Sequence, residues 1–335
     1  MKLVTFVGSE EKQQIGALMD DGLTIAILAP GEMAMDGRDS LFFKDMLAFL
    51  LGGLPARERA KDILEFITHE RPPLTTTLLQ DVKLLAPVPI PTSMRDSMGF
   101  EQHIINAIRV VGFKRLAFLD EWVEKVFGRK HSLAYLLNRT WYDRPIYYKG
   151  NRHSVIGTNT DVKIPPYTKK FDYELEFGIY IGKKGVNIPR EKARDYIGGY
   201  TIFNDFSARD IQLKEQGGRL GPAKGKDFDT GNALGPYLVT PDEIPDPYQL
   251  TMLARVNGEE WSRGISADMH YKFEDLIVYI SQSETLYPGD FIGSGTCSGT
   301  QGRGCGLEMN RFLNPGDVVE LEVQGLGVLC NRVVS

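Results

Sequence analysis

Two glutamates two positions apart are the first residues in this chain whose type and spacing indicate chemistry. In the segment 174–182, the two-residue period of a β-strand sends the alternate apolar side chains to one face and Glu174 and Glu176 to the other. No lysine or arginine is interleaved on the carboxylate face, and neighbouring like charges repel unless a cation offsets them. A solvated strand face is the simpler interpretation, whereas a hard divalent ion would account for both carboxylates.

A third acid, Asp205, follows an apparent strand and precedes the segment 207–210, which resembles a helix capping box. In a helix that begins there, Arg209, Gln212 and Gln216 fall at positions i, i+3 and i+7 and share one face. That face either points at a ligand or is the polar side of a surface helix, and the pattern alone favours neither.

An acid and an imidazole, Asp96 and His103, lie seven residues apart just after a proline-rich segment. A single histidine is more often a packing residue than a catalytic one, so this pair needs support from elsewhere. The acid nearest to His103 in sequence is Glu101, and Asn106 follows three positions later. Neither position identifies the group that would orient the imidazole.

A cysteine lies at the centre of the segment 295–299, which has the pattern of a nucleophile elbow with Cys297 in the central place. The glycine-rich residues that follow are unsuited to begin the helix that such an elbow requires. A cysteine hydrolase that uses Cys297 is therefore a minor alternative.

The composition is that of a soluble enzyme, with 42% apolar and 25% charged residues among 335 and a net charge of -5. No basic run indicates nucleic-acid binding, and the most apolar stretch, 46–54, is about half of the roughly 20 residues that a membrane span needs. The start lacks a signal-peptide core, and three cysteines form no disulfide or zinc-finger pattern. We therefore expect a cytoplasmic protein without a nucleic-acid or membrane partner.

The elements that must position these residues are predicted to form two domains of mixed, β-rich α+β structure. Residues 1–82 predict an accessory domain with a hairpin turn at Asp21-Gly22 and two helices separated by Gly52-Gly53. Prolines in 84–92 indicate an extended connector, and 83–335 is predicted as the catalytic domain. A charged, helical excursion is expected at 101–137, with short strands after it.

Five motifs in order make the chain resemble the fumarylacetoacetate hydrolase family over about residues 83–335. They are RDSMGFEQH (95–103), DYELEFGIYIG (172–182), YTIFNDFSARDIQ (200–212), GPAKGKDFDTG (221–231) and LYPGDFIGSGT (286–296). The resemblance implies a mixed β-roll catalytic domain that pairs as a homodimer. The first 80 residues match it only loosely.

The resemblance also implies a set of site residues. It implies a Mg2+ or Mn2+ ion held by Asp96, Glu174, Glu176 and Asp205. It further implies that His103 is the general base and that Lys226 lies beside the ion, where it would stabilise a developing oxyanion. The side chains expected to contact the ion or the substrate are Tyr148, Arg209, Gln212, Gln216, Thr230 and Thr296.

The reaction expected from this resemblance is metal-assisted hydrolysis of a carbon–carbon bond in a 1,3-dicarbonyl acid, of the acylpyruvate or fumarylacetoacetate type, in the catabolism of aromatic compounds or sugar acids. Met98 and Gln216 replace aromatic residues of the eponymous enzymes, which favours an acylpyruvate-like small-molecule substrate. The alternatives are decarboxylation, hydration or keto-enol isomerisation of a 2-oxo acid on the same scaffold. A metal-bound protein without catalysis is a third possibility.

Overall fold

The computed structural model describes residues 1–8, 11–39, 41–112, 116–218 and 220–335. The strands in these ranges are β1 (Lys2–Val7), β2 (Gln13–Leu18), β3 (Thr24–Ile27), β4 (Thr76–Leu78), β5 (Lys83–Leu84), β6 (Met94–Ser97), β7 (Tyr147–Lys149), β8 (Val155–Ile156), β9 (Val162–Lys163), β10 (Phe171–Asp172), β11 (Leu175–Ile181), β12 (Ile197–Asp205), β13 (Ser207–Ala208), β14 (Asn232–Val239), β15 (Thr251–Val256), β16 (Glu259–Ile265), β17 (Phe291–Gly293), β18 (Val318–Val323) and β19 (Gly327–Val334). The helices are α1 (Leu28–Asp36), α2 (Met46–Glu70), α3 (Glu101–Gly112), α4 (Ala117–Phe127), α5 (Leu133–Leu137), α6 (Arg139–Asp143), α7 (Arg190–Ala193), α8 (Arg209–Gln216), α9 (Phe273–Ile280) and α10 (Gly306–Met309).

One large sheet runs through the molecule. Its strand order is β4-β3-β2-β1-β14-β12-β11-β17-β6-β7, with β5 beside β1 and β8 beside β14. Pairing is antiparallel except between β17 and β6 and between β8 and β14. A second sheet has the order β16-β15-β18-β19-β9, and β10 pairs with β13.

Side chains on the two faces of β11 pack into two different hydrophobic cores. Leu175, Phe177 and Ile179 belong to the core shared with the second sheet and α9, whereas Tyr180 belongs to the core that contains α2. The two-residue period of the strand produces this division, as the sequence predicted. Both faces of the strand are therefore buried, and the carboxylates that alternate with the apolar residues are carried into the interior.

The N-terminal strands extend the large sheet, because β1 pairs with β14 in the register Leu3 with Leu238. The predicted hairpin is present: Asp21 turns the chain between β2 and β3, and its Oδ1 accepts hydrogen bonds from the backbone N–H groups of Leu23 and Thr24. Since one sheet passes through both parts of the chain, the boundary at residues 82 and 83 stays a prediction.

The two predicted N-terminal helices are the halves of one kinked element. α2 runs from Met46 to Glu70, but Gly53 inside it has φ 56° and ψ −133°, outside the helical region. Gly53 tolerates this backbone conformation, which residues with a Cβ rarely adopt, and Pro55 follows it at the start of the second half. The break predicted at Gly52-Gly53 is therefore confirmed.

The helix after Asp205 lacks the capping box that was predicted at its N-terminus. α8 begins at Arg209, and Ala208 precedes it without a side-chain cap. The carboxylate of Asp210 accepts hydrogen bonds from the Thr168 hydroxyl and, at 3.1 Å, from the Lys169 N–H. The predicted capping box is therefore wrong, because a loop distant in sequence supplies the donors for Asp210. The helical excursion predicted at 101–137 is confirmed where the structure describes it, by α3, α4 and α5, and residues 113–115 lie outside the described residues.

Candidate active site

Five adjacent strands of the large sheet bring the predicted acids together. In the order β12-β11-β17-β6-β7, Asp205 ends the first strand and Glu176 lies on the second, opposite Phe203. Asp96 lies on β6, paired with Tyr148 of β7 and with Gly293 of β17. Glu174 directly precedes β11. Residues far apart in sequence thus meet because their strands are neighbours.

The four acids form a compact, buried cluster. Ligand oxygens of Asp96, Glu174, Glu176 and Asp205 all lie within 4.8 Å of one another. Glu176 and Asp205 are 0% exposed, so the solvated strand face considered for Glu176 is excluded. Buried carboxylates at this spacing require compensating positive charge.

Two protein cations supply part of that charge. Lys226 Nζ donates to Glu174 Oε2 at 2.5 Å and to Asp205 Oδ2 at 2.6 Å. Arg209 Nη1 lies 2.7 Å from Glu174 Oε1, and its Nε donates to Asp172 Oδ2 at 2.7 Å. Glu174 therefore contacts both cations, while the other acids of the cluster are less well compensated.

The pKa values follow this uneven compensation. Burial raises the pKa of Asp96 to about 6 and raises those of Glu176 and Asp205 well above their usual range. Burial also opposes ionisation of Glu174, but the positive charges of Arg209 and its neighbours outweigh burial and hold the pKa of Glu174 well below its usual range. The cluster as a whole favours an additional positive charge.

The cluster fits a hard divalent cation. Among the described residues, Asp96 Oδ1, Glu176 Oε1 and Asp205 Oδ1 are buried and have no hydrogen-bond partner. Gly293 keeps space beside them, since a Cβ at that position would lie 2.4 Å from Asp96 Oδ1. An all-oxygen ligand set of this kind is typical of Mg2+ or Mn2+.

His103 adjoins this cluster, because Cys305, whose ligand atom lies within 4.8 Å of that of His103, forms a β-bridge with Glu174. The imidazole is paired with an acid that was not predicted from the sequence. Its Nδ1 is 2.7 Å from Oε1 of Glu308, which is fully buried on α10. Asn106 Nδ2 donates to Glu308 Oε2 and Ser298 Oγ donates to Oε1, each at 2.5 Å. The imidazole is thus oriented by a carboxylate that is itself fixed by two donors, an arrangement suited to a general base.

The position of His103 depends on the helical excursion. His103 lies in the first turn of α3, and Arg129 donates to Glu101 Oε2 at 2.7 Å and to Gln102 Oε1 at 2.8 Å. Glu101, the acid nearest to His103 in sequence, thus belongs to a partly buried network with Arg129 and Tyr142. It does not hydrogen-bond to the imidazole.

Of the other residues predicted to contact ion or substrate, two more lie at the cluster. Tyr148 donates its hydroxyl to Asp205 Oδ2 at 2.6 Å. Thr296 is buried directly after Gly295, whose N–H donates to Glu176 Oε2 at 2.9 Å. These two residues therefore lie at the acids, and their contact with substrate stays a prediction.

Three predicted residues have other environments. Gln212 accepts a hydrogen bond from Arg209 Nη1 at 3.0 Å, and Gln216 is exposed at the end of α8. Thr230 Oγ1 accepts from the backbone N–H of Lys163 at 3.0 Å. Substrate contacts by Gln212, Gln216 and Thr230 remain predictions without a supporting contact to the acids.

The structure gives no support to a cysteine nucleophile. Cys297 is 0% exposed, and its Sγ faces the carbonyl of Ile265 at 3.8 Å. Burial raises the pKa of this thiol far above its usual value. A nucleophilic cysteine needs an accessible thiolate, which this environment disfavours.

Comparisons with known proteins show the family of this chain. The family model for the C-terminal region of fumarylacetoacetate (FAA) hydrolase matches residues 130–334. The chain is 32% identical over 335 residues to the mitochondrial oxaloacetate tautomerase fahd2 of Xenopus laevis, covering all of this chain and 90% of that protein. It is 40% identical over 190 residues to the human mitochondrial oxaloacetate tautomerase FAHD2A, covering 57% of this chain and 59% of the human protein.

A solved structure matches over the full length. The fumarylacetoacetate hydrolase of Exiguobacterium antarcticum has a TM-score of 0.71 and 24% identity, covering all of this chain and 99% of that one. This likeness confirms the mixed α+β fold expected from the sequence. Within the described ranges, every helix is too short or too polar to span a bilayer.

Proposed function

The chain belongs to the fumarylacetoacetate hydrolase family, as its five motifs indicated, and from that membership we propose that it is a divalent-metal-dependent tautomerase of a 2-oxo dicarboxylic acid of the oxaloacetate class. The observation that carries the proposal is the His103–Glu308 pair beside the four-carboxylate cluster. This combination supplies one proton-transfer group and one site for a chelated oxo acid.

The unpaired oxygens of Asp96, Glu176 and Asp205, with Glu174, would hold Mg2+ or Mn2+. Such an ion would supply Lewis-acid chemistry, which stabilises negative charge that develops on a 2-oxo acid. Tyr148 keeps Asp205 oriented through its hydroxyl. The protein thus fixes the ligand set through strand pairing rather than through loops.

His103 would move the proton. Since Nδ1 faces Glu308, Nε2 is the ring nitrogen left to exchange a proton with substrate. In the proposed step, the proton leaves C3 for Nε2, the C–H electron pair forms the C2=C3 double bond, and the π pair of the C2 carbonyl moves onto its oxygen. The proton is then delivered to the C2 oxygen, which completes the enol. Glu308 stabilises the imidazolium that exists between the two transfers.

The environment of Lys226 favours tautomerisation over hydrolysis. An ammonium has three N–H donors, and three acceptors surround Lys226 Nζ: Glu174 Oε2, Asp205 Oδ2 and, at 3.4 Å, the Asp205 carbonyl. The oxyanion that forms during hydrolysis of a carbonyl needs a donor aimed at it. In tautomerisation the developing oxyanion is the enolate oxygen, which a chelated divalent ion would stabilise, so the reaction requires no second donor from Lys226.

Hydrolysis of a carbon–carbon bond in an acylpyruvate-like acid, which the sequence analysis favoured, is the second candidate. Its support is the fixed carboxylate of Glu308, because a base that activates water must be oriented in the same way. The attacking water would take the place next to Nε2 that the C3 hydrogen occupies in tautomerisation.

A product panel distinguishes the candidates. The enzyme with Mg2+ is given oxaloacetate and several acylpyruvates, and the keto-enol ratio, pyruvate and carbon dioxide are measured. Faster keto-enol interconversion of oxaloacetate with the carbon chain intact supports the proposal. Pyruvate and a second carboxylic acid from an acylpyruvate would move the assignment to hydrolysis, and carbon dioxide as the main product would contradict both.

The homodimer and the compartment are also proposals. We expect two copies per particle, which light scattering after size exclusion measures directly. The cytoplasmic location expected from the sequence competes with the mitochondrial location named for the two tautomerase relatives. Imaging of a C-terminally tagged chain in its native cells decides between them.

A further inference from the structure

A thiol that the proposed reaction does not use adjoins the His103–Glu308 pair. Cys305 Sγ lies 3.7 Å from Glu308 Oε1, the same oxygen that lies 2.7 Å from His103 Nδ1. Ligand atoms of the three residues all lie within 4.8 Å of one another, and all three residues are buried. This second cluster offers sulfur, nitrogen and oxygen, in contrast to the all-oxygen cluster of the four acids.

We propose that His103, Cys305 and Glu308 form a zinc site. Around a tetrahedral Zn2+, a nitrogen and an oxygen ligand are separated by roughly 3.3 Å and a sulfur and an oxygen ligand by roughly 3.6 Å, from the usual bond lengths. The observed separations from Glu308 Oε1 are 2.7 Å to nitrogen and 3.7 Å to sulfur. These two separations differ from the tetrahedral values by roughly 0.6 Å and roughly 0.1 Å, and a water would take the fourth position.

The surroundings of Glu308 support this role. Its Oε2 accepts from Asn106 Nδ2 at 2.5 Å and would keep that bond when Oε1 binds the ion. Ser298 Oγ, which donates to Oε1, is itself fixed by the N–H of Gly304 at 2.8 Å. Metal ligands are commonly held by such outer hydrogen bonds.

The ligand chemistry separates the two clusters by metal. Thiolate and imidazole favour Zn2+, whereas the carboxylates of Asp96, Glu174, Glu176 and Asp205 suit Mg2+. The side chain of His103 is 11% exposed and that of Glu308 is 0% exposed, so the ion would enter from the imidazole side. We expect saturating Mg2+ to leave the zinc site free.

Zinc at this site would inhibit the enzyme reversibly. The ion would occupy His103 Nδ1 and Glu308 Oε1 and so replace the hydrogen bond that orients the base. This consequence rests on the proposed function, whereas binding of the ion does not.

Binding is tested first, by calorimetric titration of ZnCl2 into the whole protein in saturating Mg2+. We expect one tight site in the wild type. Cys305→Ser should weaken it by more than roughly 100-fold, because loss of even an outer partner of a ligand costs about 10- to 100-fold in affinity. Cys297→Ser is the matched control, since this buried cysteine contacts the Ile265 carbonyl and should leave zinc affinity unchanged.

Cobalt gives a reading that does not depend on the stability of a variant. Co2+ added to the wild type in saturating Mg2+ should produce the near-ultraviolet sulfur-to-cobalt charge-transfer band of a thiolate ligand. Absence of that band, or equal zinc affinity in the wild type and a folded Cys305→Ser protein, would overturn the site.

Measurements of activity test the predicted inhibition separately from zinc binding. Zn2+ at the concentration that fills the site should abolish turnover in Mg2+, and a zinc-selective chelator should restore it. Tight, cysteine-dependent zinc binding without inhibition would uphold the site and contradict the role proposed for His103 as base.

Discussion

Glu308 Oε1 lies 2.7 Å from His103 Nδ1, although the two residues are 205 positions apart in the chain. α10 brings the carboxylate against α3, where Asn106 binds its second oxygen. This contact converts an ordinary imidazole at the edge of an acidic cluster into an oriented base. The function proposed for the chain depends on it.

Replacement of Glu308 by glutamine should lower turnover while metal binding persists. We expect a loss of roughly 10²-fold or more in kcat, the usual contribution of a positioned base, because the neutral amide no longer stabilises the imidazolium. KM should change little, since Glu308 is not expected to touch substrate. Steady-state kinetics together with metal analysis measures both effects, and an unchanged kcat would contradict the role of Glu308 in orienting the base.

Glu176→Gln should abolish both metal binding and activity. Glu176 Oε1 is one of the three unpaired buried oxygens of the cluster, and an amide is a weaker ligand for Mg2+ than a carboxylate. Chelation of the wild type should give the same inactive state, and added Mg2+ should reverse it. A wild type that stays fully active in excess chelator would exclude the metal assignment.

Gly293→Ala should weaken Mg2+ binding without unfolding the protein. A Cβ at residue 293 would lie 2.4 Å from Asp96 Oδ1 and 3.1 Å from Cδ1 of the Phe203 ring. The carboxylate of Asp96 must therefore move. Gly8→Ala is the control, because a Cβ there has nothing within 4 Å. Calorimetric titration with Mg2+ compares the two variants, and equal affinities would contradict a cation at Asp96.

Lys226→Met should destabilise the metal-free protein. The substitution removes the ammonium that contacts both Glu174 and Asp205. Glu174 keeps its ion pair with Arg209, but Asp205 loses its cation, and breaking a buried pair in this way costs about 3–5 kcal/mol. Mg2+ should restore part of the loss, because the ion supplies the missing charge. Urea unfolding measures the free energy of unfolding with and without Mg2+. A variant as stable as the wild type without metal would show that Lys226 does not compensate the charge of the cluster.

Part of this site follows from local sequence rules. Glu174 and Glu176 were predicted from strand alternation, which depends only on the two-residue period of the backbone. Family motifs pointed to Asp96 and Asp205, and the neighbouring strands place all four acids together. Such features are predictable because each depends on a short segment.

The remainder depends on contacts between distant segments. Glu308 lies 205 positions from His103, beyond Glu101 and Asn106, which the sequence places near the imidazole, and nothing local marks it as the partner. Asp210 was predicted to cap α8 but binds Thr168 and Lys169 instead. In both cases tertiary packing decides which donors reach a carboxylate, and no sequence period encodes that.

Hydrogen exchange at C3 of oxaloacetate tests the central claim most directly. In deuterated solvent, the wild type with Mg2+ should catalyse incorporation of deuterium at C3, followed by nuclear magnetic resonance, without cleavage of the carbon chain. His103→Ala should lower the exchange rate by roughly 10²-fold or more, because it removes the base, while the melting temperature and Mg2+ content stay at wild-type values. Cys297→Ala should exchange like the wild type. Undiminished exchange in a folded, metal-loaded His103→Ala protein, or no exchange in the wild type, would contradict the proposed tautomerase.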